Sequence, residues 1–117
     1  MKVQSNPKSV YRGRLGEAQL RAVADLFAVL SEPTRLRILQ LLEEGPATVS
    51  EVVGRLGIKQ ANASKQLGIL YQAGVLARAR EGLSVRYSIR MPLVFDLCSL
   101  VCGRLRDEAA ARARSLA

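Results

Sequence analysis

Residues 48–74 read TVSEVVGRLGIKQANASKQLGILYQAG. Thr48 and Glu51 have the spacing of a capping box: the threonine side chain caps an amide three residues on, and the glutamate reaches back. Val52, Val53 and Leu56 then form a short helical apolar set, and Gly57 is a natural left-handed stop. A second helix opens near Lys59 and runs to Gly74, another glycine stop. Two short helices joined by about three residues around a glycine make a helix-turn-helix.

The second helix has an unusual opening. Gln60, Asn62, Ser64, Lys65 and Gln66 are expected on its exposed surface, with Leu67 and Leu70 turned to the core. Amide, hydroxyl and amine groups on the first turns are what major-groove reading requires. Asn and Gln can bond adenine edges in a bidentate way, and Lys can bond guanine or phosphate. An ordinary solvated face has the same composition, so the flanks must decide. Residues 53–90 carry Arg55, Lys59, Lys65, Arg78, Arg80, Arg86 and Arg90 against one acid, Glu81, a local charge of +6 out of +8 for the whole chain. Gly68 lies mid-helix, where it costs about 1 kcal/mol relative to Ala; close packing is the expected reason.

Upstream, Leu20, Val23, Ala24, Phe27 and Leu30 recur at three- and four-residue steps, one face of a helix. Pro33 suits the first turn of another, whose buried stripe is Leu36, Leu39 and Leu42 broadened by Ile38 and Leu41; Gly45-Pro46 stops it. Downstream, the period changes to two. VRYSI puts Val85, Tyr87 and Ile89 on one side of a strand and Arg86 and Ser88 on the other. VLARAR is a weaker strand, and Glu81-Gly82-Leu83-Ser84 joins the two as a hairpin. Pro92 starts a last helix with Val94, Leu97, Cys98, Val101 and Leu105 on its apolar face. Glu108 and Arg112 can pair at i,i+4 in the alanine-rich end.

The expected fold is therefore mainly α with a small β-hairpin wing (α+β), a winged helix-turn-helix. A basic leader is expected over 1–16, the DNA-binding and dimerisation domain over 17–106, and a helical tail over 107–117. Leu20, Val23 and Phe27, with Val94, Val101 and Leu105, offer more apolar surface than a small helical core covers, so a homodimer is expected through them. A sequence pI near 10.3 points to a polyanionic partner. The N-terminal stretch lacks the apolar region of a signal peptide, and no apolar run approaches the roughly 20 residues of a membrane span. The expected location is the cytoplasm, with no membrane partner. The chain has no histidine, which removes the commonest general base and all His-based nucleophilic pairs. There is no glycine-rich phosphate loop either, and an enzyme is not expected.

LSEPTRLRILQLL at 30–42, the helix-turn-helix ending ASKQLGILYQAGVL, and the REGLSVRYSI that follows resemble the ArsR/SmtB family of bacterial winged-helix repressors over residues 17–106. The resemblance implies a homodimer built from the first and last helices, bound to an operator with an inverted repeat and released by a ligand or an oxidant. By position, Gln60, Ala61, Ser64 and Lys65 fall where family members contact DNA. Asn62, Gln66, Arg78, Arg80 and Arg86 complete the expected DNA surface. Two departures stand out. The thiol motif that many members carry before the recognition helix is replaced by ATVSEVV, and the histidines that others use on the last helix are missing. Lys59 also stands where a capping serine is usual.

The remaining sensor candidates are Cys98 and Cys102, four residues apart and so on one face of the last helix. Two thiolates suit a soft centre. Zinc prefers four ligands, whereas As(III) or Sb(III) needs two or three thiolates. A direct disulfide needs Cβ atoms about 3.8 Å apart, closer than the roughly 5–6 Å of i,i+4 neighbours. Three readings remain open: a metalloid or soft-metal inducer site, redox or persulfide sensing, and small apolar packing. Nearby Arg104 is a candidate to help ionise the thiols. DNA binding itself needs no cofactor. Two rivals to a repressor are a sequence-blind architectural DNA protein and a winged helix that binds other proteins.

Overall fold

The computed structural model describes residues 13–116; residues 1–12, most of the expected basic leader, lie outside them. The elements run α1 (Glu17–Val29), α2 (Pro33–Glu43), β1 (Ala47–Thr48), α3 (Val49–Leu56), α4 (Gln60–Gln72), β2 (Leu76–Glu81), β3 (Ser84–Ile89) and α5 (Leu93–Leu116). They form two compact units divided between Met91 and Pro92. The first holds α1 to α4 and the sheet; the second is α5.

Local sequence explains most element ends. Pro33 opens α2, and the Glu32 side chain accepts hydrogen bonds from the Thr34 and Arg35 amides. Thr48 and Glu51 form the expected reciprocal cap, at 3.2 Å and 2.8 Å. Gly57 ends α3 in the left-handed region, φ 66°. Gly74, φ 80°, ends α4 in a Schellman arrangement: its amide donates to the Tyr71 carbonyl and the Val75 amide to the Leu70 carbonyl.

The core of the first unit is apolar and tightly covered. Ile38, Leu39, Leu41 and Leu42 of α2 are buried with Val52 of α3 and Ala63, Leu67 and Leu70 of α4; Val75, Leu76 and Tyr87 close it from the sheet side. Leu36, expected in the α2 stripe, is exposed instead. It sits beside the buried arc rather than within it. Replacing the fully buried Leu67 by Ala would cost about 2–5 kcal/mol.

The sheet is antiparallel, in the order β1-β3-β2. The two-residue β1 was not expected from the sequence. In the hairpin, Arg78 faces Tyr87 and Arg80 faces Val85, while Ala79 faces Arg86 and Glu81 faces Ser84. Directly opposed residues share a face. Arg78, Arg80, Val85 and Tyr87 therefore lie on one face of the wing and Arg86 on the other. Gly82, φ 64°, supplies the positive φ that a two-residue hairpin loop needs.

In the second unit, α5 is one uninterrupted helix that runs through residues 106 and 107 into the helical tail. Glu108 pairs with Arg104 at 3.0 Å rather than with Arg112.

Candidate nucleic-acid interface

Helix α4 is aimed by its two neighbours in sequence. Gly57 turns the chain after α3, and Lys59 takes an extended conformation at the N-cap. The Lys59 side chain makes no capping hydrogen bond. The first amides of α4 are thus open at an exposed helix start flanked by Lys59 and Lys65, where the backbone dipole favours an anion such as phosphate.

The expected reading residues divide into two groups. Gln60, Ala61, Ser64 and Lys65 are exposed on α4, and Asn62 is half-buried at the margin of that face. Gln66 is not exposed: only 8% of its surface reaches solvent. Helical phase sets it beside Ala63, Leu67 and Leu70, all buried. Its amide is spent inside the protein, accepting from Arg35 Nη1 at 2.8 Å and donating to Asn62 Oδ1 at 3.1 Å. Gln66 is thereby removed from direct base contact.

Gly68 has no heavy atom within 4 Å of where a Cβ would stand. The close packing expected there is absent among the described residues. Gly68 lies in phase with Ala61, Ser64 and Lys65, and leaves the centre of the exposed face flat.

The wing arginines also divide. Arg78 lies over the Tyr71 ring of α4, 3.9 Å from its centroid. Arg80 is exposed on the same wing face. Arg86, expected on the DNA surface, is held on the opposite face by Glu81 at 3.1 Å and Glu51 at 3.3 Å, and it donates to the Pro46 carbonyl. These pairs, Glu81 first, hold its pKa up. Two carboxylates and a carbonyl make Arg86 a brace between wing and α3 rather than a free cation.

Two residues outside the expected set bear on this region. Leu83 stands fully exposed at the wing tip. Arg35 reaches from α2 to the carbonyls of Val29 and Ala28 as well as to Gln66. The signal for Arg35 was available: a cation three and four residues before the buried Ile38 and Leu39 shares their face.

Away from this surface, α1 buries none of its residues, and Leu20, Val23 and Phe27 are exposed. On α5, Val101 and Leu105 are exposed, but Val94 is fully buried and has no surface for a second subunit. Cys98 is half-buried and Cys102 exposed, both free. Burial, and then repulsion from Cys102, pushes the Cys98 thiol pKa up. Arg104 is committed to Glu108, which corrects its expected role beside the thiols. Among the described residues no three His, Cys, Asp or Glu side chains cluster as a metal site, and no helix is long and apolar enough to cross a membrane.

A helix-turn-helix with a polar exposed recognition helix and a basic strand hairpin beside it defines a winged-helix DNA-binding domain. Comparison with known proteins agrees. Residues 30–79 match the helix-turn-helix domain family. The HTH-type transcriptional regulator Rv0081 of Mycobacterium tuberculosis is 40% identical over 78 residues, 66% of this chain and 68% of its own. Its crystal structure superposes with a TM-score of 0.73 at 34% identity, covering 84% of this chain and 99% of that one. A "probable mercury resistance operon repressor" of Streptomyces lividans is 39% identical over 88 residues, 75% of this chain and 70% of its own. The crystal structure of the AntR antimony-specific transcriptional repressor matches with a TM-score of 0.73 at 28% identity, covering 93% of this chain and 99% of that one. The chain belongs to the ArsR/SmtB family of winged-helix transcriptional repressors, which are DNA-binding regulators and not enzymes.

Proposed function

We propose that this chain is a cytoplasmic, homodimeric repressor that binds an operator with an imperfect inverted repeat and leaves it when a thiophilic metalloid or metal engages Cys98 and Cys102. The observation that carries DNA binding is the exposed run Gln60, Ala61, Ser64 and Lys65 on α4, with Arg78 and Arg80 on one face of the adjoining wing. Half-sites about one helical turn apart fit a two-fold dimer. Exposed apolar side chains on α1 and α5 support dimerisation.

The inducer reading rests on two free thiols on one face of one helix. They supply two sulfur donors and no third ligand from the described residues. Zinc would need the second subunit to complete four ligands; As(III) or Sb(III) is closer to satisfied. Each new As–S bond replaces an As–OH, and the thiol proton leaves with the hydroxide as water, so a raised Cys98 pKa does not block the exchange. The antimony-specific and mercury-resistance relatives support this class of inducer. A preference of about 3 kcal/mol for the non-binding dimer lowers operator affinity more than a hundredfold.

The test is a titration of the reduced protein on its operator by fluorescence anisotropy. Antimonite or arsenite should release the DNA, and Cys98→Ser or Cys102→Ser should each block release while leaving ligand-free binding intact. Release by peroxide or persulfide with no response to metalloid would replace this reading by a redox one. An undiminished response of the double Ser variant would place the sensor elsewhere. Equal affinity for every duplex would identify an architectural protein instead.

A further inference from the structure

The buried side chain of Gln66 is one link in a chain of hydrogen bonds with a fixed direction. Arg35 donates through Nε to the Val29 carbonyl at 2.6 Å and through Nη2 to that of Ala28 at 3.4 Å, at the end of α1. Its Nη1 donates to Gln66 at 2.8 Å. A guanidinium has donors only, so the Gln66 atom that meets it must be Oε1. That choice turns the Gln66 amino group towards Asn62, whose partner atom must then be Oδ1, 3.1 Å away. The Asn62 amino hydrogens are left over, on a half-exposed residue in the first turns of α4, with no partner among the described residues.

We propose that Arg35 is a positioning residue for DNA recognition: through Gln66 it sets the polarity of Asn62, so that Asn62 meets DNA as a hydrogen-bond donor. This rests on the reading of α4 as the DNA-binding helix. The group it meets is an acceptor: N7 of guanine or adenine, guanine O6, thymine O4, or a phosphate oxygen. The bidentate adenine contact that an asparagine would otherwise offer is disfavoured, because it needs the Oδ1 already engaged by Gln66.

The test is Gln66→Glu. A carboxylate still accepts from Arg35 but cannot donate to Asn62, so the Asn62 amide turns over and presents its oxygen. Binding sites are selected from a randomised duplex pool with wild type and variant, both checked for folding by circular dichroism. If Asn62 meets a base, the preference at one symmetric pair of positions moves by about fivefold, the worth of an ordinary hydrogen bond, towards cytosine, the base whose major-groove edge presents only a hydrogen-bond donor. If it meets a phosphate, the selected sequence stays and affinity falls about fivefold for all duplexes. Arg35→Met, which leaves the Gln66 amide undirected, should erase the preference or affinity gain rather than move it. Should Gln66→Glu unfold, Asn62→Asp serves: it keeps an acceptor for Gln66, carries no donor, and should show the same loss. A folded Gln66→Glu or Asn62→Asp with wild-type preference and affinity overturns the proposal. A wild-type protein that selects no sequence fails the DNA-binding reading instead.

Discussion

The Arg78 guanidinium lies over the Tyr71 ring, 3.9 Å from its centroid, and so ties the wing strand to the last turn of the recognition helix. Hydrogen bonding to Tyr87, more than to Tyr71, raises the Arg78 pKa. The charge is held in place but not neutralised. Tyr71→Leu should therefore lower operator affinity severalfold with an unchanged salt slope, since only the direction of the cation is lost. Arg78→Ala should weaken all sequences alike and reduce the salt slope by about one. An Arg78→Ala variant with the wild-type slope would take Arg78 off the phosphate backbone.

Gly68→Ala should stabilise the fold by about 1 kcal/mol, because the site of the new methyl group is open. Thermal unfolding would show this as a rise of roughly 4 °C. A lower melting temperature would contradict the open environment. Loss of operator binding alongside higher stability would show that the flat centre of α4 admits DNA closely.

Stability should fall in acid through two caps. Hydrogen bonds from backbone amides, Thr34 for Glu32 and Thr48 for Glu51, hold both carboxyls below the ordinary value of 4.5. A depressed folded pKa contributes stability above the unfolded value, and that contribution is lost as pH falls through the folded one. Urea midpoints measured between pH 6 and pH 3 should drop less steeply in Glu32→Gln and Glu51→Gln. Identical pH profiles for wild type and both variants would exclude the caps as the acid-sensitive elements.

In a monomeric variant such as Phe27→Glu, Cys102 should alkylate faster than Cys98. The first is exposed, whereas the second is half-buried with its thiol pKa raised by burial and by its neighbour. Iodoacetamide labelling followed by mass spectrometry should give an order that holds from pH 7 to pH 9, with the Cys98 rate still climbing at the upper end. Faster labelling of Cys98 would contradict the environment described for the pair.

Phe27→Glu or Val101→Glu should yield a folded monomer that no longer binds the operator tightly, since each places a charge among exposed apolar side chains of α1 or α5. Sedimentation velocity at micromolar concentration reads this directly. A wild type that sediments as a monomer defeats the dimer.

The parts of the fold that were legible beforehand are those written within a few residues. The Thr48–Glu51 cap, the stops at Gly57 and Gly74 and the period-two wing each depend on near neighbours. The two-residue β1 was invisible because its pairing with β3 comes from far along the chain. Composition placed Gln66 and Arg86 on the DNA surface, yet each is held by a partner far along the chain, and Arg86 also by nearby Glu81. Gln66 meets Arg35 across 31 positions, and Arg86 meets Glu51 across 35. Helical phase alone would have drawn Gln66 inward, beside Ala63 and Leu70. For Arg86 the nearer signal was Glu81, the one acid of the hairpin, which alternation puts on the same face five residues away.

Strand β2 is one of the two edges of its sheet, and one side of its backbone is unpaired by the other two strands. An open strand edge is a template for adding another chain, and charged side chains are a common way to discourage it. Arg78, Arg80 and Glu81 occupy half of this six-residue strand. The two arginines proposed to meet the nucleic acid thus also guard the protein against stacking on copies of itself. Stripping both charges to measure their share of DNA affinity would expose a flatter, more apolar edge, and the protein would tend to leave solution as aggregate. Lysine at both positions keeps the guard while removing the planar guanidinium, and it separates loss of recognition from loss of colloidal stability.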